Sequence, residues 1–462
     1  YRQYWGRGEY FQARALHLLG LTDLARKSVE HAFHIQMDDG EWDGPPISGW
    51  PSWDNTGGNA AGVWDTFLFT RDRAWLAEAY PHMAAAARWI RYHREESDYE
   101  TGDVPAGAKP IKRQLPWSCR DETSPALQPG EKPYWSGLLP WSYGDSGLPE
   151  GHAYAHNYFA LYAVEVARRA ALELGQQDDA QWLDEEYKTY RAAILASIQR
   201  ALKLEKEGPP YLPAMPTYPE AALSQSFLAV YPTGLFGAHD ALIDGLLTRM
   251  ERTEIHGLPT NMAWLGAGGV WPGESMNVAE IYLRRGEIAK AVNMLAASLN
   301  FSYGTNVWRE EIRVDKTLPR ACPKSTSNRN LDNGQGTGDM PEAWGNANLV
   351  NLVRDMLVLE DGGALKLLPG IPADWIHPGQ EIAVTNAPTT LGGPVSLHLT
   401  YPAAGKMVLE FDAPPEPVDV IARFPVPGAI QSANVDGRPA RAEGAVVSVP
   451  KARGRHRIEI EF

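Results

Sequence analysis

The chain has 462 residues and a formal net charge of −14, with 44% hydrophobic and 22% charged residues. That length exceeds one ordinary core and predicts a large globular unit with a smaller companion. The acidic balance and the lack of a basic patch exclude nucleic acid and anionic membrane as expected partners, and no apolar run approaches the ~20 residues of a membrane helix.

From the N-terminus, EYFQARALHLLG and LTDLARKSVEHAFHIQ carry helical apolar spacing and break at Gly20. The stretch DDGEWDGPPISGWPSWDNTGG is too rich in Gly, Pro and Trp for helix or strand and reads as a loop. Helices follow at about 57–70 and 72–95, then at 151–175 and 178–203, then less regularly near 220–230 and 237–253. The last pair spans 273–285 and 286–299, and a final helix covers 342–360. The cycle is helix, short turn, helix, long aromatic loop. Long loops inside a compact unit tend to carry function. Hairpins of this kind can close into a ring with every long loop at one end. About eleven helices are countable, one short of six hairpins. The chain opens on Tyr1 and runs at once into a helix, so an upstream segment is expected and the compartment stays open.

From about Leu365 the pattern becomes period two: EIAVTNA, VSLHLTYP, KMVLEFDA, VDVIARFP, AVVSVP and HRIEIEF alternate between Gly/Pro turns. This predicts an antiparallel β-sandwich over 362–462 behind a helical domain over 1–361. Cys119 and Cys322 form one disulfide or remain two thiols, with nothing in the spacing to decide.

The densest chemistry lies in WSYGDSGLPEGHAYAHN, residues 141–157. Inverting glycoside hydrolysis needs one carboxylic acid and one carboxylate, held roughly 6.5–9.5 Å apart on separate loops. Glu150, between Pro149 and Gly151 at a helix entrance, is the choice for the acid, and Asp145 for positioning substrate or raising the pKa of Glu150. Two stretches compete for the base. GTGDMPEAWGNANLV holds Asp339, Glu342 and Trp344, and NVWREE holds Trp308, Glu310 and Glu311. Glu342, preceded by Pro and followed by a helix, is preferred as base over Glu310. The acids also have a plain reading as first-turn residues that steady a helix start. Arg7 and Glu9, between aromatics in WGRGEY, suit sugar hydroxyls, as do Asp54 and Asn55 after Trp53. The high count of 16 Trp and 19 Tyr, with Trp141 and Trp53 in loops, suits stacking on sugar faces, although a loop Trp serves equally as a plug into the core. His152 and His156 have the i, i+4 spacing of a zinc pair, but Ala153 stands where a catalytic Glu belongs and no third ligand is evident, so no metal is expected. His156 with Asn157 and Tyr158 also keeps a polysaccharide lyase acting on uronates open. No dinucleotide, nucleotide or serine-hydrolase motif is present.

WGRGEYFQARALHLLGLTDLARK is similar to the W-x-R-D-x-x-Y opening of glucoamylase-like six-hairpin glycosidases, with Gly8 in place of their Asp and Glu9 as its substitute. YGDSGLPEGHAYAHNYFALYAVEVA resembles their general-acid loop, and GDMPEAWGNANLVNLVRDMLVLEDG their last helix. NVWREE resembles the base loop of the α-L-rhamnosidase-like members. The resemblance covers about residues 1–361. It implies an (α/α)6 toroid and an exo-acting, inverting glycosidase, with Arg7 on the terminal sugar, Glu150 as acid and Glu342 or Glu310 as base. In the rhamnosidase-like branch the acid lies upstream of the opening segment, and Glu150 then only binds substrate. The expected partner is a carbohydrate and no cofactor is expected. A polysaccharide lyase and a non-catalytic glycan-binding protein are the alternatives.

Overall fold

The computed structural model describes residues 4–42, 53–99, 112–113, 122–123, 134–140, 152–203, 208–216, 223–260, 268–315, 317, 336–338 and 340–462. The helices pair as the periodicity predicts: α1 (Gly6–Leu18) with α2 (Thr22–Ile35), α3 (Trp53–Thr70) with α4 (Arg73–Tyr99), and α5 (Tyr154–Leu174) with α6 (Gln177–Leu202). A 3-10 segment, Leu223–Ala229, precedes α7 (Ala241–Glu251). Then come α8 (Pro272–Arg284) with α9 (Ile288–Asn300), and α10 (Ala343–Leu357). Turns within pairs are tight. Gly175 takes a left-handed φ of 77° and caps α5 through the carbonyls of Ala171 and Leu172.

Burial separates two kinds of helix. In α3, every residue from Trp53 to Phe67 is buried, and α8 is buried from Pro272 to Leu283. In α2, only Ala25, Val29 and Ala32 are buried, the i, i+4, i+7 stripe of an outer helix. The enclosed helices contact one another in cyclic order: α1 on α3, α3 on α5, α5 on the 3-10 segment, that segment on α8, α8 on α10, and α10 on α1. One core, including Phe11, Phe159, Phe227, Met276 and Leu352, runs through them.

Three boundaries differ from the expectation. Trp53, Asp54 and Asn55 lie in the first turn of α3, not in a loop. The glycines that suggest a loop are there for contact. A Cβ on Gly57 would overlap the backbone of Phe159, and one on Gly58 that of Gly6. The stretch near 220–230 is 3-10 rather than α, and the last helix stops at Leu357 because Val358 turns directly into strand.

A small sheet joins β1 (Gly269–Val270), β2 (Glu311–Arg313) and β3 (Gly336–Thr337). The C-terminal sheet begins with a hairpin, β4 (Val358–Asp361) and β5 (Ala364–Leu367), so the expected boundary at 361/362 falls within that hairpin's turn. It continues with β6 (Glu381–Ala387), β7 (Val395–Ala403), β8 (Lys406–Arg423), β9 (Ser432–Val435), β10 (Arg438–Ala440), β11 (Ala442–Glu443) and β12 (Val446–Glu461). The predicted pairs KMVLEFDA/VDVIARFP and AVVSVP/HRIEIEF are each one long strand. Register shifts between Ala413 and Val420 absorb the prolines of PPEP, which an unbroken ladder would exclude. Both halves of each long strand contribute to one core, with Leu409, Phe411, Val420, Val447 and Ile458 buried together. The arrangement is not wholly antiparallel, because β5 pairs with β8 in parallel.

The far half of the helical ring holds a buried ionic cluster. Arg14 meets Asp65 at 2.8 Å, and Arg284 lies 3.8 Å from Glu280 and 3.6 Å from Asp355. Neither carboxylate oxygen of Glu280 has a hydrogen-bond partner among the described residues. Burial first, then Asp355, pushes Glu280 well up, against the pull of Arg284 and Arg14. The folded state therefore keeps a proton that the unfolded chain releases, and stability falls as pH rises past the ordinary carboxylate range. Glu280→Gln should remove that slope and gain about 1–3 kcal/mol at pH 8 over its effect at pH 5. Thermal melts at both pH values check this, and equal destabilisation at both would contradict it.

Candidate active site

The enclosed helices α3, α5, α8 and α10 each follow a long connection, whereas the returns α1–α2, α3–α4, α5–α6 and α8–α9 are short. Side chains from successive helix starts touch. Arg7, in the first turn of α1, forms a buried ion pair with Asp54 of α3, and its backbone N–H donates to Asn55 Oδ1 at 3.2 Å. His156 Nε2 of α5 stands 3.9 Å from the other oxygen of Asp54. The Arg7 guanidinium lies 5.1 Å from the ring centre of Trp344 on α10. Trp344 meets Trp271 edge-on at 5.6 Å, and Trp271 Nε1 donates to Glu342 Oε1 at 2.6 Å. Gln225, from the 3-10 segment, donates to Glu274 of α8.

Glu342 occupies the N-cap of α10, yet its side chain makes no capping bond. It turns sideways to Trp271, so its role is not that of a helix-end acid. Burial, and then the neighbouring Glu310, push its carboxyl well above the usual range; Trp271 partly offsets this, and Glu274 and Glu311 push the same way. Four carboxyls thus converge on one place. The small sheet delivers two of them: Val270 faces Ile312, and Glu311 faces Thr337, which sets Glu310 beside the starts of α8 and α10. Glu310 is half-buried and packs against Gly338, where a Cβ would overlap its carboxylate.

Of the residues singled out from sequence, Arg7, Asp54, Asn55, His156, Glu310, Glu311, Glu342 and Trp344 share this end of the ring. Glu9 does not join them. Its carboxyl meets Ser28 of α2, and burial raises it to about 6. Trp53 packs on Trp89 and His93 of α4, and His152 stacks on Trp135 at 4.9 Å. Trp308 is a plug, 1% exposed, its Nε1 donating to the Ser298 carbonyl at 2.7 Å. Trp42 is likewise sealed, donating to the carbonyl of Ala32. Trp141, Asp145, Glu150, Asp339, Cys119 and Cys322 lie outside the described residues. Among the described residues, no three His, Cys, Asp or Glu side chains are placed to hold a metal ion. The sequence reading counts Trp271 only among the loop tryptophans and misses Glu274 and Gln225. Trp-Pro-Gly-Glu at 271–274 does carry a signal, a proline leading an acid into a helix start as at Pro149-Glu150 and Pro341-Glu342.

The fold is one found in glycoside hydrolases. It resembles the structure of an α-L-rhamnosidase from Dictyoglumus thermophilum with a TM-score of 0.54 at 11% identity, over 99% of this chain and 46% of that one. A structure described as a wild-type glycosidase matches with a TM-score of 0.50 at 13% identity, over 76% of this chain and 87% of that one. The chain thus spans about half the length of the rhamnosidase. No protein-family model and no curated protein sequence matches it.

Proposed function

We propose that the protein is a glycoside hydrolase, exo-acting and inverting, built on an (α/α)6 toroid that ends with α10 at Leu357 and a β-sandwich from Val358 onward. The observation that carries this reading is the convergence of Glu274, Glu310, Glu311 and Glu342 at the end of the ring where Arg7, Asp54 and His156 also meet. Hydrolysis needs an acid and an ionised base from separate segments. A base must be deprotonated and reach water. Glu342 is sealed and its proton affinity is raised, whereas Glu310 is partly exposed, so the base in this reading is Glu310. Glu150 supplies the proton to the leaving oxygen. Arg7, Asp54, Asn55 and His156 hold the terminal sugar, beside Trp344.

A panel of aryl glycosides and natural oligosaccharides, followed by proton NMR of the first product anomer, tests the reading. Inversion is expected. In Glu150→Gln, activity should survive best on dinitrophenyl glycosides, whose leaving group needs no proton. In Glu310→Ala, azide should restore turnover by replacing the activated water. Hydrolysis of no glycoside, or a retained anomeric configuration, would count against the proposal.

A further inference from the structure

Glu342 is held by a built slot. One oxygen takes the Trp271 N–H at 2.6 Å. The other, Oε2, is buried without a hydrogen-bond partner among the described residues. It lies between Gly273 and Gly345, and a Cβ on either glycine would overlap it. Asn348 donates to the Gly273 carbonyl at 3.0 Å and so fixes α10 against α8 at this point. The charged groups that act on its carboxyl are all acids: Glu274 from α8, Glu310 from the segment entering β2, and Glu311 from β2 itself. Arg309 and Arg313 flank those two acids in the chain. From α1, Arg7 is already paired with Asp54. Among the described residues, Glu342 has no cation in salt-bridge contact. A bare carboxylate with one donor, two glycine faces and acidic neighbours would be strongly disfavoured.

Resting on the proposed function, we infer that Glu342 works as a neutral, proton-bearing carboxyl, a positioning residue that shapes the wall beside Glu310 and is not itself the base. Its oxygen accepts from Trp271 while its hydroxyl fills the glycine slot. Gln is the close mimic of that state. Glu342→Gln should keep kcat and KM within about threefold of the parent. Glu342→Ala should lose on the order of a hundredfold, mainly in kcat, through a displaced wall. If ionisation of Glu342 sets the upper pH limit of activity, that limit moves to higher pH in the Gln variant.

The deciding measurement does not depend on turnover. The infrared difference between parent and Glu342→Gln at pH 7 should contain the C=O stretch of a carboxylic acid, shifted by exchange into D2O. Carboxylate bands in its place would overturn the inference, as would a folded Glu342→Gln protein that has lost turnover while Glu310→Gln retains it. That second result leaves a glycosidase with Glu342 as its base. Failure of the parent to cleave any glycoside sinks the functional reading instead, and the infrared band still decides the protonation state.

Discussion

Glu310→Gln should lower kcat/KM by roughly 10²–10⁴-fold on natural substrates while leaving the melting temperature close to the parent value. The amide keeps the shape of the side chain over Gly338 but cannot take a proton from water. Because Glu310 is half-buried and contributes to the raised proton affinity of Glu342, neutralising it should also ease the ionisation of Glu342. The loss should be equal for good and poor leaving groups, since water activation is missing in both cases. A Glu310→Gln protein within tenfold of the parent would remove Glu310 from the mechanism.

The second large effect is expected at Asp54. It lies fully buried, paired with Arg7 and 3.9 Å from His156. Asp54→Ala removes the partner that α3 offers to the enclosed Arg7 guanidinium, and breaking a buried pair typically costs about 3–5 kcal/mol. Replacing both partners, Arg7→Met with Asp54→Leu, should recover most of that stability, because well-packed apolar groups can replace a buried ion pair at little cost. Turnover should not return with it if the pair grips the sugar. Denaturant unfolding and kinetics on the two variants separate these effects. A double variant with restored turnover would show the pair to be purely structural.

Much of this architecture is legible in the chain. Apolar spacing and the Gly20, Gly175 and Gly286 turns place the helix pairs to within a few residues. The strand halves around PPEP are found but not their continuity, because proline normally ends a ladder and here sits in a bulge. The hairpin around Asp436–Gly437, with φ of 52° and 75°, has a strong turn signature that apolar alternation alone passes over. At the site, acid at a helix start is a readable cue, and it singles out Glu342, whereas Asp54 reads as a short polar side chain in a loop and lies instead in the first turn of α3. Helical phase is harder. Glu9 follows Arg7 by two positions, roughly 200° round the axis, and so faces Ser28 instead of Asp54. Tryptophans are the least readable, because Trp308 and Trp344 look alike in sequence. Only the Ser298 carbonyl in one case, and the Arg7 guanidinium in the other, tells a plug from a member of the mouth.

The meeting of helix starts at the site has an electrostatic consequence. Each start presents free N–H groups, equivalent to about half a positive charge, so the mouth would by itself repel a cation. A sugar ring that is losing its leaving group becomes cationic. In the proposed reaction the acids at positions 274, 310 and 311 offset that field, so the crowding of like charges there reads as the counter-ion of a fleeting carbocation, assembled before any substrate arrives.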